Sequence, residues 1–221
     1  MYRCSSWAGA AALLAAGLVS DVGGRAESGG PLPRTPEGRP DLTGIWAVKS
    51  DPKSQKPVLT PAGAAALEKL RKSTPAHCLP GSPLIGAGIY KFVQTPALLI
   101  VIFKDLIGYR QIFLDGRSHP KDADPSWLGH SIGHWEGDTL VVDTAGLNDR
   151  SRLQIYPHTE SLHLIERYRR RDRAHLEVQT QIEDPETFVR PWKTQTELSL
   201  APDQEVLEYV CEENSRADSK N

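Results

Sequence analysis

The sequence predicts a mainly β protein, an antiparallel up-and-down barrel with one helix near residues 60–72. Three observations lead to it. Apolar, β-branched runs recur as consecutive pairs, each pair joined by a short turn. One stretch alone, Thr60 to Lys72, has the Ala/Leu/Lys composition of a helix. No internal repeat is evident, which argues against a propeller. Consecutive hairpins of this length favour a barrel of about eight to ten strands over a parallel sheet, with room inside for one small ligand. A β-sandwich is the competing architecture.

Residues 1–26 read as a signal peptide rather than as fold. Arg3 supplies a positive start, Trp7 to Val19 an Ala/Leu-rich apolar run, and Gly24-Arg25-Ala26 the small residues of a cleavage site. The run is too short and too rich in alanine for a membrane span, so a periplasmic or secreted protein without stable membrane insertion is expected. Cleavage removes two arginines and one aspartate and moves the formal net charge from −2 to −3. That balance gives no electrostatic footprint for nucleic acid. The one basic run, Arg167 to Arg173, falls where a hairpin turn is expected and reads as a solvated turn. Cys4 leaves with the signal, so Cys78 and Cys211 remain as an even pair in an oxidising compartment. A bridge between them would close most of the mature chain and contribute up to about 4–5 kcal/mol. Two buried thiols are the alternative.

Residues 27–40 are rich in Gly and Pro and read as a linker, and residues 41–214 as one barrel domain. Asp41 to Val48 is the first strand. Thr60 is placed to cap a helix with Pro61 at its first position, Ala64, Leu67 and Leu70 form its apolar stripe, and Pro75 ends it. Four hairpins follow. Leu98–Phe103 turns into Leu106–Leu114, and Leu128–Trp135 turns at Glu136-Gly137-Asp138 into Thr139–Thr144. Leu162–Arg170 turns near Asp172 into Ala174–Ile182, and Lys193–Leu200 turns into Glu205–Cys211. Residues 215–221 are a polar, flexible tail.

The second of these hairpins concentrates the candidate chemistry. His130 and His134 share a face at period two, Asp143 ends the returning strand, and Asn148 follows in the loop. Glycines flank His130, which often marks close approach of a ligand or another backbone. His130 is therefore expected to face the barrel interior as a general base, oriented by Asp143 or by a carboxylate from Glu160 or Glu166. The bland alternative is a core histidine with a satisfied hydrogen bond. Glu160 and Glu166 share one face, and an inward carboxylate would have a raised pKa suited to acid/base work. Outward placement, paired with arginine, is the competing account. Arg110 stands mid-strand and either lies on the wet face or anchors an anion inside. Arg117, His119, Trp135, His158 and His163 complete the expected ligand-binding set.

The imidazoles match no metal signature, and histidines four apart on a strand stand about 13 Å apart, so no metal is expected. No cofactor is expected either, because no nucleophile elbow, phosphate loop or dinucleotide fingerprint is present.

Asp115-Gly116-Arg117-Ser118-His119-Pro120, the run Gly129 to Thr144, His158 to Arg167, Asp184-Pro185, Pro191-Trp192 and Glu208 to Asn214 form an ordered series. The series resembles a large family of exported bacterial proteins of unassigned function, common in soil bacteria. The resemblance spans nearly all of the mature chain. It implies an exported, barrel-like domain and brings no established activity or catalytic residue. A basic residue is common in that family where this chain has His134, which implies that His134 is not an obligatory metal ligand. The outline also resembles lipocalin-like barrels at the level of fold.

Three functions fit this reading. The first is a cofactor-independent lyase or isomerase acting on a small apolar or aromatic substrate. The second is a non-catalytic carrier of such a molecule, and the third a structural or envelope-interaction protein. The sequence leaves the oligomeric state open.

Overall fold

The computed structural model describes residues 30–48, 53–73, 80, 82–104 and 108–207. The expected signal peptide, the Cys78–Cys211 bridge and the tail 215–221 lie outside the described residues. The fold is a closed, nine-strand β-barrel with one helix. Its strands are β1 (Gly44–Val48), β3 (Ile89–Gln94), β4 (Leu98–Phe103), β5 (Tyr109–Phe113), β6 (His130–Glu136), β7 (Thr139–Ala145), β8 (His163–Arg170), β9 (His175–Glu183) and β10 (Trp192–Leu200). The two-residue β2 (Lys53–Ser54) extends the edge of β10. Each strand neighbours the next in sequence, and β1 pairs with β10 to close the barrel.

Every pairing in the closed ring is antiparallel except one. β5 and β6 run parallel, because the chain from Leu114 to Gly129 carries it back along the barrel before β6 begins. Their ladder covers two residue pairs, Ile112 with Ser131 and Phe113 with Ile132. The neighbouring β6–β7 hairpin pairs all along its length, from His130–Ala145 to Glu136–Thr139. Its turn places Gly137 at φ 58°, the left-handed conformation expected there. The expected strand Glu205–Cys211 is not formed at 205–207, and its remainder lies outside the described residues. β3, outside the expected hairpin series, takes the place between β1 and β4, with Tyr90 and Phe92 inward around an exposed Lys91.

Alternation along the strands fills the interior. One apolar cluster, including Trp46, Phe92, Leu99, Leu140, Tyr168, Leu176 and Leu198, packs the half nearer the β6–β7 turn. A second, including Leu147, Leu153, Leu164, Ile182, Phe188 and Trp192, packs the end where β9 runs into β10. Polar residues form a belt between them. Glu166, Thr180 and Thr194 stand in register across β8, β9 and β10, all buried.

Arg110 enters this belt from β5, only 2% exposed. Its Nε donates to Ser131 Oγ at 2.9 Å, Nη2 to Thr144 Oγ1 at 2.6 Å and to Glu166 Oε2, and Nη1 to the Pro83 carbonyl at 3.3 Å. Tyr168 donates to the other Glu166 oxygen at 2.9 Å. Burial opposes the guanidinium charge, but Glu166 and the Tyr168 oxygen outweigh it and hold the Arg110 pKa above its ordinary value. Burial, then the Glu166 carboxylate, push the Tyr168 phenol well up.

The helix α1 (Pro61–Lys72) forms as expected. Thr60 Oγ1 accepts from the Gly63 N–H at 3.0 Å, and Pro61 occupies the first turn. Its buried side runs through Gly63 and Leu67 rather than Ala64, which is exposed. A Cβ on Gly63 would stand 2.3 Å from the Thr187 carbonyl oxygen, so the helix sits directly on the β9–β10 connection at one end of the barrel. At the opposite end, Arg170 stacks over the Trp46 ring at 5.1 Å and donates to the carbonyls of Asp41, Asp172 and Arg173.

Removing one partner of the buried pair leaves an uncompensated charge. Arg110→Met alone should cost about 3–5 kcal/mol in denaturant titration, as should Glu166→Leu, while the double substitution should recover much of the loss. Additive losses in the double variant would show that the two side chains are not coupled.

Candidate functional site

The short β5–β6 ladder leaves the two strands splayed, and a cleft of about 500 Å³ opens between them on the outside of the barrel. Tyr109 and Phe113 of β5 line one side, and Trp127, Leu128 and His130 the other. Arg110 and Ser131, turned inward, lie along its base. Trp127 is set by the preceding segment. Ser126 N–H donates to the Gly146 carbonyl at 2.9 Å, and Asn148 N–H to the Ser126 carbonyl at 2.8 Å. The Asn148 side chain in turn accepts from the Arg150 N–H at 3.0 Å. Asn148 is thus a buried loop anchor rather than a ligand contact.

His130 faces this cleft, not the barrel interior. Ser131 on the same strand points inward to Arg110, so alternation turns His130 outward. The expected interior base is corrected accordingly. Its partner also differs from the expected carboxylate. His130 Nδ1 lies 2.9 Å from His119 Nδ1, His119 Nε2 lies 3.1 Å from Asp143 Oδ1, and His163 Nε2 reaches the same oxygen at 2.7 Å. The His130 ring stacks on Phe113, centroids 5.3 Å apart.

An acceptor-only carboxylate fixes the protons along this chain. Asp143 Oδ1 accepts from His119 Nε2–H, and in that tautomer the His119 ring presents a lone pair at Nδ1. His130 Nδ1–H donates into it, which leaves His130 Nε2 with its own lone pair. That nitrogen has no hydrogen-bond partner among the described residues. Partial burial, then His119 and Arg117, lower the His130 pKa below the ordinary imidazole value. The ring is therefore neutral at neutral pH and able to accept a proton.

The glycines beside His130 have packing roles. Gly129 has φ 67°, and a Cβ there would stand 2.7 Å from the Ala145 carbonyl oxygen. A Cβ on Gly133 would meet Leu114 at 2.8 Å on the inner side. Neither makes room for a ligand.

The other expected residues divide by location. Glu166 is inside the barrel, but both its oxygens are engaged by Arg110 and Tyr168, so it is a structural anion rather than an available acid or base. Glu160 is exposed in the turn before β8, which begins only at His163, so it shares no strand face with Glu166. His134 shares the outer face with His130 as expected, but its side chain is 65% exposed and contacts Glu136 at 3.3 Å, away from the cleft. Trp135 packs against the core near the other barrel end, with Arg39 over its ring at 6.0 Å. Arg117 stacks on Phe113 with Cζ 3.8 Å from the ring centroid, and pairs with Asp115. His158 is buried, with Nδ1–H donating to the Thr159 carbonyl at 3.1 Å and Nε2 accepting from Ser151 Oγ at 2.8 Å. His119, His130, Asp143 and His163 are thus the expected residues that come together. Among the described residues, no three His, Cys, Asp or Glu side chains converge in an arrangement that would hold a metal ion.

Sequence reasoning missed Trp127 and Arg150, and gave Tyr109 and Phe113 no role beyond the strand Leu106–Leu114. No periodic signal marks Trp127, which lies in an irregular segment between two strands.

Comparisons with protein-family models, with curated proteins and with solved structures find no match.

Burial also lowers the His158 pKa, outweighing the opposing pull of the Thr159 carbonyl and of the Asp184 carboxylate. Folded His130 and His158 thus bind protons less readily than the unfolded chain does. Their contribution to stability is complete above the unfolded value of about 6.5 and is lost as pH falls through it toward the lower folded values. The thermal midpoint should drop between about pH 7 and pH 5.5, and His158→Gln, which cannot titrate, should flatten that drop. An identical slope in the variant would remove His158 from the account.

Proposed function

We propose that this protein is an exported small-molecule-binding barrel. Its ligand sits in the β5–β6 cleft, and His130 acts there as the general base of a cofactor-independent lyase or isomerase. One observation carries the reading: a neutral imidazole lines an aromatic cleft, held in one tautomer by His119 and, through it, by Asp143. Held this way, His130 Nε2 takes a proton from an activated carbon or hydroxyl of the substrate. The imidazolium so formed keeps its Nδ1–H bond to His119, and the Asp143 carboxylate offsets the new charge. Returning the same proton to another atom of the substrate completes an isomerisation. Delivering it to a leaving group completes an elimination.

A carrier without turnover is the second reading. It is favoured by the lining of the cleft, which among the described residues holds no Asp or Glu to work opposite the base.

A thermal-shift screen of small aromatic compounds against the mature protein should find ligands that raise the midpoint by mass action. With a substrate in hand, kcat/KM should hold at neutral pH and fall as His130 protonates, at a pH below the ordinary imidazole range. His130→Ala should lower turnover about 10²–10⁴-fold with the fold intact. Undiminished turnover in the folded variant would remove His130 as the base. Binding with no turnover of any ligand would leave the carrier.

A further inference from the structure

We infer that the cleft takes an aromatic acid, its ring against the aromatic walls and its oxyanion held by Arg150 with Arg117. This deepens the cleft reading above and rests on it. Two residues that line the cleft each carry a guanidinium against their ring. Arg117 Cζ stands 3.8 Å from the centroid of the Phe113 ring, and Arg150 Cζ stands 5.9 Å from that of Trp127. Phe113 and Trp127 are the facing walls, so each cation is carried on a wall residue.

The partners of these cations separate their roles. Arg117 uses Nε and Nη2 on Asp115 and keeps Nη1 without a partner among the described residues. Arg150 is exposed, and its guanidinium makes no ion pair or hydrogen bond among the described residues. Its backbone is nevertheless fixed by the buried Asn148, so the side chain starts from a set position. A planar carboxylate fits such a fork in two parallel hydrogen bonds.

Charge in the cleft points the same way. Among the described residues no Asp or Glu lines it, and Arg117 is near enough to His130 to help lower its pKa. A positive field of this kind attracts an anion and stabilises the negative charge left when His130 removes a proton. The lining suits a flat ring, since Tyr109, Phe113, Trp127 and His130 all belong to it. An apolar ligand without charge would leave both guanidiniums unused.

Two probes of equal shape test this. Phenylacetate and phenylacetamide are titrated calorimetrically into the full-length mature protein and into its Arg150→Gln and Trp127→Ala variants, with thermal midpoints recorded to confirm folding. Phenylacetate should bind about tenfold tighter than the amide, Arg150→Gln should abolish that preference while leaving amide affinity unchanged, and Trp127→Ala should weaken both. Equal affinity for the two probes, with Trp127→Ala weakening both, would overturn the acid preference and leave the cleft reading standing. A preference that survives Arg150→Gln would overturn the role given to Arg150. Failure of both probes to bind at millimolar concentration would overturn the aromatic-acid ligand and the cleft reading together.

Discussion

The buried contact between Arg110 and Glu166 is what lets the barrel close around its weakest seam. β5 and β6 share only two ladder pairs, the fewest of any pairing in the ring. Arg110 bridges that gap from inside. It ties β5 to Ser131 on β6, Thr144 on β7 and Glu166 on β8, so one side chain spans four strands. A buried ion pair adds little net stability against a well-packed apolar replacement, because two charges must leave water. Its value here is geometric. It fixes how far the two strands stand apart while the parallel ladder is too short to do so. The same splay opens the cleft on the outer side, so the interior contact and the exterior site are two faces of one departure from regular pairing.

Much of the barrel was legible in the residues, and the limits have physical causes. The β8, β9 and β10 strands alternate cleanly, and the β6–β7 and β8–β9 turns carry Gly137 and Asp172 where tight geometry needs them. Period two tells which residues share a face but not which face is inside. On β6 that ambiguity was decisive. Its outer face holds His130, Ile132 and His134, and its inner face Ser131, Gly133 and Trp135, so neither is plainly the apolar one. The inner face is settled by Arg110, which needs the Ser131 hydroxyl, and that partner comes from a different strand. The joining of His119 to His130 likewise depends on the path of the loop after β5, which no local pattern encodes. Arg150 and Trp127 belong to irregular segments, where neither periodicity nor turn chemistry reports a shared location. Glu166 was readable as an inward carboxylate, but its engagement by Arg110 and Tyr168 was not.

Ligand sites in small barrels commonly occupy the mouth or the lumen. In this chain the level between the two apolar clusters is taken by the polar belt of Arg110, Glu166, Thr180 and Thr194, and one end is covered by Arg170 and Trp46. The proposed site therefore lies on the outer surface, where a ligand would reach His130 without any strand having to part. Packing and reactivity are thereby divided between the two faces of the same strands. Substitutions on the cleft side can retune recognition while the inner belt keeps the strand spacing.

Closure of the ring sets the order in which the protein can fold. Trp46, near the start of the domain, pairs with Leu200, near its end. Until β10 is available, β1 has one edge without a neighbour. The chain must therefore hold β1 against β3 while all intervening hairpins assemble, a topology of high contact order that folds slowly. An edge left open for that time is a template for pairing with another chain. Trp46 on the inner side of β1 meanwhile has a partner that precedes β10 in the chain, since Arg170 of β8 stacks on it. That stacking can register the first strand on the unfinished barrel before the last strand arrives, shortening the interval in which the open edge is exposed.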